Sequence, residues 1–384
     1  MQYLDYDKNK IKWDGESPVN KTFLLAPMGP ESPVMIFNAS GQLLLEKQTD
    51  GFPANFVQLS DLSGYSYFAG KTYVGPKWGS VQGYSANGRY IVGKLYITDN
   101  NLETQKIIDY IPTPKIPKVI GLHMHGNYVL DSNHYLLQAI SLEEVIIKTK
   151  KSYVVNCILQ EQLNGEVIWE WQSIDYPELF EASFARNNYF DKKVINKEYA
   201  CDYAHMNSCI FTDDKKFLYI SFKHIGIIKL EYETKRIVWI LGKRTIDKWE
   251  IPDNSCIFEH QHDLHLIDNN TLYFWDNKHQ KYTELELTDN KIINYKTFHA
   301  SKHRIGPMAV MGNALKVTDN IVDICYGTSL SAISLLNSKS KLPIVSEFDV
   351  ETGQKFLDIT ILDNSSKLIN TMYQVNRGVN IYEN

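Results

Sequence analysis

The chain has 384 residues, 43% of them hydrophobic and 22% charged, with a formal net charge of −5. That length holds one large all-β domain or two ordinary ones, and either buries a sizeable core. No apolar run approaches the roughly 18–20 residues of a membrane helix, and dispersed lysines on a slightly acidic chain exclude a polyanion-gathering field, so neither membrane nor nucleic acid is an expected partner.

In chain order, residues 1–20 are polar and predicted as an N-terminal arm, with one domain over 21–384. The start Met1-Gln2-Tyr3-Leu4-Asp5-Tyr6 lacks the basic flank and apolar segment of a secretory signal. The expected location is cytoplasmic or non-classically secreted if Met1 is native, and periplasmic if a leader was removed. From Ile36 onward a unit recurs: apolar strand, turn rich in Asp, Asn, Thr or Gly, apolar strand. It appears at 36–44, 163–169, 229–239, 285–293 and 348–356. Copies fall roughly 50 to 70 residues apart, the spacing of four-stranded blades with one long loop each. Residues 111–117, Ile-Pro-Thr-Pro-Lys-Ile-Pro, form a loop between blades, and Tyr176 to Phe184 can supply a short helix. Trp169 and Trp239 sit in the repeat and read as blade packing. Cys157, Cys201, Cys209, Cys256 and Cys325 are too scattered for a disulfide framework or a zinc ribbon and read as small buried hydrophobes. The expected fold is all-β, a six-bladed β-propeller.

Three units carry a second pattern, a His just before an apolar strand: His125-Gly126-Asn127, His205-Met206-Asn207 and His262-Asp263-Leu264. Equivalent positions in a propeller are related by rotation about one axis, so these imidazoles are expected to converge on the channel mouth. Lys223 closes a strand after the second site and returns to the same rim. Neutral imidazoles and an amine, without a paired carboxylate cluster, suit an anionic, oxygen-rich group. A metal site stays open as an alternative, since His123-Met124-His125 puts two imidazoles on one face of a strand. The carboxylates that ordinarily orient such ligands are not evident in the sequence.

The run Asp202-Tyr203-Ala204-His205-Met206-Asn207-Ser208 resembles the D-x-x-H-x-N-S signature of bacterial arylsulfate sulfotransferases. Ile237 to Gly242, Gln261-His262-Asp263, Phe274-Trp275-Asp276-Asn277 and the ending Met372 to Arg377 are similar to the same family. The resemblance spans about residues 33–380 and is most specific over 200–280. It implies transfer of a sulfuryl group from a phenolic sulfate ester to another phenol by a ping-pong route through a sulfohistidine. Neither the nucleotide donor PAPS nor any cofactor or metal is implied. By residue, it implies His262 as nucleophile, His205 and Asn207 as holders of sulfuryl oxygens, and Lys223 where the family has arginine. It further implies His125 as acid or base toward the phenol oxygen and Thr328 as a contact of the sulfuryl group. Departures are Lys223 itself, Gly126 where the family has aspartate, no counterpart of the disulfide near the nucleophile, and a missing or reduced N-terminal β-domain. Expected partners are an aryl sulfate and a phenol, and a homodimer is allowed. Two other classes compete: a non-catalytic propeller binding a ligand or protein, and a metal- or quinone-dependent propeller enzyme. The enzyme reading requires His125, His205, His262 and Lys223 to share one pocket.

Overall fold

The computed structural model describes residues 11–27, 29, 32–73, 90–147, 150–185, 200–300, 309–329, 343–361, 372–379 and 381. These are mostly strands, arranged as a β-propeller. The one α-helix among them, Pro177–Ala182, falls in the stretch expected to supply one and begins on a proline, which needs no amide partner there. No helix among the described residues is long and apolar enough to cross a membrane.

The repeating unit is an antiparallel meander. Met206–Phe211, Phe217–Phe222, Gly226–Glu231 and Ile237–Leu241 form one sheet, and Gln261–Leu266, Thr271–Asp276, Lys281–Thr288 and Lys291–His299 the next. Asn313–Lys316, Ile321–Cys325, Val345–Asp349 and Lys355–Ile361 form a third, with Ile11–Gly15 added at its outer edge. In the fourth, the C-terminal strand Met372–Gly378 pairs with Thr22–Pro27, followed by Pro33–Phe37 and Leu43–Gln48. Acidic and amide side chains make the turns: Asp349 Oδ1 accepts the amides of Glu351 (2.9 Å) and Thr352 (2.8 Å), and Asp268 and Asn38 act likewise. These are the turn residues that made the repeat legible.

Six separate blades were expected, and the structure corrects that count: four stand alone. The nine strands from Phe52 to Gln172 instead join, with Ala200–Cys201, into one ten-stranded sheet. Its continuity comes from the short strand Gly121–His123, which pairs on one side with Tyr90–Asp99 and on the other with His134–Ile147. On the other side of Tyr90–Asp99, Gly93 permits close approach to Gly64–Tyr73, since a Cβ there would lie 2.0 Å from the Ala69 carbonyl oxygen.

Neighbouring sheets pack face to face through separate apolar clusters. Leu136, Trp171, Leu218 and Phe222 belong to one, and Tyr219, Trp239, Trp249, Phe258 and Phe274 to the next. Trp169 stacks on Tyr232 at 5.0 Å and gives its indole N–H to the Tyr232 carbonyl, and Trp239 meets Trp249 edge-on at 5.1 Å, so both tryptophans pack blades as expected. All five cysteines are buried.

Toward the axis a different joint recurs. A side-chain amide on one inner strand caps a backbone carbonyl beside another inner strand, mostly of a neighbouring sheet. Asn55 donates to Met124, Gln138 to Met206, Asn207 to Gln261, Asn313 to Val375 and Asn376 to Phe56. The last of these returns to the strand Phe52–Gln58, where the series starts, and the capped residues Met124, Met206 and Gln261 each neighbour a histidine described next.

Candidate active site

His125 stands where the chain leaves the strand Gly121–His123. The next residue, Gly126, has φ +62°, and a Cβ there would lie 2.5 Å from Gln138 Oε1. The left-handed turn and the amide filling its hollow account for glycine at a position where the resembled family carries aspartate. Asn127 then ties the turn down, donating to the His123 carbonyl and accepting from the Gln138 amide. His125 is thereby buried with its ring 4.5 Å from that of His123, the two Nδ1 atoms 3.0 Å apart.

His205 lies just ahead of Met206–Phe211 with φ +53°, a conformation that non-glycine residues seldom adopt. Its carbonyl accepts the Lys223 amide at 3.0 Å, and the Ala204 carbonyl accepts the His224 amide at 3.2 Å. The entry of one strand and the exit of its neighbour thus stand side by side, and Lys223 does return to the rim that carries His205.

His262 lies in Gln261–Leu266 beside a bulge, with Asp263 at φ +57° and the Leu264 amide on Ser208 Oγ. Burial works against its protonated form, which the Asp263 charge and the Gly312 backbone favour. Asn207 gives its amide N–H to the Gln261 carbonyl at 2.6 Å and accepts from Ser208 Oγ, bracing the strand that bears His262. The side chain of Thr328 lies outside the described residues; its backbone pairs with Val310.

The rings converge. His125 is 5.5 Å from His205 and 5.2 Å from His262, centre to centre, and His205 is 5.8 Å from His224. Lys223 is close enough that its charge lowers the proton affinity of His125, His224, His260 and His262 alike. Burial dominates the electrostatics. It brings His123 down to about 3 and both His260 and His262 to about 4, and holds His125 and His224 well below the usual imidazole range. Burial also lowers Lys223, against the pull of Asp202. At neutral pH His123, His125, His224, His260 and His262 are therefore uncharged imidazoles, each donor at one nitrogen and acceptor at the other, beside the Lys223 amine. A narrow cleft adjoins the cluster, lined by Phe184, Lys223, Lys243, Phe258 and His260 among others. Phe184 stacks on His260 at 5.6 Å and meets His224 edge-on at 5.3 Å, giving the cleft an aromatic wall.

Sequence reasoning left several of these groups without a role. His224 and His260 were visible beside Lys223 and His262, but no repeat position marked them. Asp202 lay within the D-x-x-H run, and its contact corrects the expectation that no carboxylate orients these imidazoles: Oδ2 is 2.5 Å from His205 Nδ1 and takes the Tyr90 hydroxyl proton at 2.5 Å. Burial works against the Asp202 charge, but His205, His224 and the Tyr90 hydroxyl outweigh it and hold the carboxyl well below its usual range. Tyr90 is remote in sequence and nothing in its surroundings announced it. Asp202, His205 and His224 are also the residues with the geometry for a metal ion among those described, their ligand atoms lying within 4.8 Å of one another.

Fold and site together define a β-propeller with a buried polyhistidine centre beside one lysine, suited to gripping a small oxyanion. The family model for arylsulfotransferase (ASST) matches residues 78–301, more than half of the chain, and the protein belongs to that family. The family is one of sulfotransferase enzymes acting on small molecules such as aryl sulfates and phenols. No curated protein matches the chain. Among solved structures it is similar to a protein of unknown function from Bacteroides caccae, at 10% identity and TM-score 0.55, over 94% of this chain and 99% of that one. It is more distantly similar to a chain of a nidogen/laminin complex, at 9% identity and TM-score 0.46, over 94% and 98%.

Proposed function

We propose that the 21–384 domain transfers a sulfuryl group from an aryl sulfate ester to a phenol in two displacements through His262. Its imidazole lone pair attacks sulfur, the S–O bond to the arene breaks, and the phenolate departs with the bonding pair. The acceptor phenol then attacks the sulfohistidine, the N–S bond breaks, and the phenol proton passes to a nearby imidazole, for which His125 is the candidate. Splitting one displacement into two lowers each barrier. His205 and Lys223 donate to the sulfuryl oxygens, where charge builds in the transition state. Asn207 braces the His262 strand while its second N–H serves the same oxygens, and Thr328 is the remaining candidate contact. The aromatic wall of Phe184 suits an arene. No cofactor takes part.

The observation that carries this reading is the convergence of His125, His205 and His262 beside Lys223, from positions far apart in a chain of this family. The test is p-nitrophenyl sulfate with and without a phenol. Nitrophenol release stimulated by the phenol, radiolabelled sulfate retained on protein without acceptor, and loss of both in His262→Ala are expected. Release without any protein-bound label, or full activity in His262→Ala, overturns the two-step route.

A further inference from the structure

The proposed reaction needs His205 to present one particular nitrogen to the sulfuryl group, and what selects that nitrogen lies outside the histidine set. We propose that Tyr90, Asp202 and His205 form a positioning chain in which the Asp202 carboxylate holds the Nδ1 proton of His205 and Tyr90 holds Asp202. The inference rests on the reading just given for its catalytic meaning, but its structural content stands alone.

Two hydrogen bonds carry it. Asp202 Oδ2 receives the Tyr90 hydroxyl and faces His205 Nδ1, each at 2.5 Å. An ionised carboxylate is an acceptor only, so the shared proton belongs to Nδ1; in the substrate-free neutral ring the lone pair is then on Nε2, and that nitrogen donates to a sulfuryl oxygen once it has taken up a second proton. The Tyr90 ring stands 5.4 Å from His123 and 6.5 Å from His205, packed into the histidine cluster and not merely tethered by its hydroxyl. The backbone adds a constraint, since His205 is held at φ +53° with its carbonyl on the Lys223 amide. Ring and main chain are thus fixed from opposite ends. A carboxylate behind an imidazole does two things: it selects the tautomer, and it stabilises the positive charge that the ring acquires when its other nitrogen takes a proton. Asp202 and Tyr90 are accordingly positioning residues, acting on the substrate only through His205.

The same carboxylate with His205 and His224 has metal-ligand spacing, and the experiment separates the two uses. Long-range proton–nitrogen spectra of the ¹⁵N-labelled full chain, with His205 assigned by its loss in His205→Gln, report which nitrogen is protonated. The expected wild-type state is Nδ1–H with Nε2 bare. In Asp202→Asn the tautomer inverts or mixes, and kcat falls about 100-fold or more with KM within a few-fold, as when an orienting carboxylate is amidated elsewhere. In Tyr90→Phe the tautomer is kept and kcat falls only a few-fold. An Nε2–H ring in the wild type overturns the proposal even if Asp202→Asn fails to fold. So does a stoichiometric divalent metal whose removal by chelator moves the His205 resonances. A chain that lacks aryl sulfotransferase turnover yet shows the expected tautomers would sink the proposed reaction and leave this inference standing.

Discussion

His262 illustrates how a residue's surroundings set its chemistry. A nucleophilic imidazole must be unprotonated, and burial lowers this one to about 4 from an ordinary 6.5. The acid limb of kcat/KM is therefore expected near pH 4, with a flat profile from 7 down to 5; a limb near 6.5 in a pH–rate measurement would contradict the assignment. Lys223 supplies a positive charge that acts on His125, His224, His260 and His262 alike. Lys223→Ala is expected to lower kcat/KM by about 10²–10³, the usual cost of losing one transition-state donor. Lys223→Arg tests the departure from the family pattern: a planar fork in a cavity shaped for an ammonium need not restore the geometry. The three histidines of the centre were legible because each preceded an apolar strand in a repeating pattern. Asp202 and Tyr90 were not, because their significance is a contact between residues 112 positions apart. A linear pattern encodes periodicity, and only folding brings such partners together.

Strands and turns show where periodicity misleads. Alternating runs and Asp/Asn turns identified the meanders correctly, because those signals are local. The blade count went wrong between Phe52 and Gln172, where pairing across Gly121–His123 joins what the repeat suggested were separate units. Which strand edges meet is decided by close approach of backbones, for which a glycine such as Gly93 gives only an ambiguous sign. The amide joints between inner strands were equally hidden, since an isolated Asn or Gln has many uses. Asn376 caps the buried Phe56 carbonyl at 3.0 Å. Asn376→Ala leaves that oxygen without its donor, and a loss of about 1–3 kcal/mol in chemical denaturation is expected, against a neighbouring surface substitution as control.

At the level of the whole molecule, stability is squeezed by pH from both sides. His123, His260 and His262 take up a proton near 6.5 when unfolded but only at about 3 to 4 when folded. Below pH 6.5 the unfolded chain binds more protons, so stability drops by about 1.4 kcal/mol per pH unit for each fully buried histidine. On the alkaline side the relevant group is Glu347, which burial and the neighbouring Asp323 raise to about 8, with Arg377 opposing. The fold keeps that proton to about pH 8 while the unfolded chain releases it near 4.5, so this contribution is lost as pH rises between the two. Melting temperature is expected to peak at mildly acidic to neutral pH, and Glu347→Gln should flatten the alkaline decline. The same carboxylates grip Arg377, which bonds Asp323 at 2.6 and 3.0 Å, reaches Glu347, and lies 3.2 Å over the Phe23 ring. Arg377→Ala would strand two buried acids and is expected to cost about 3–5 kcal/mol.

Arg377 sits on the strand that meets Thr22–Pro27, so a segment made late completes a sheet begun about 350 residues earlier. On the ribosome, every histidine of the centre emerges well before the piece that seals the circle. The nascent chain therefore carries its full chemical equipment on an open scaffold with two bare edges. A message truncated ahead of Met372 should yield not a weakened enzyme but a sticky, inactive one.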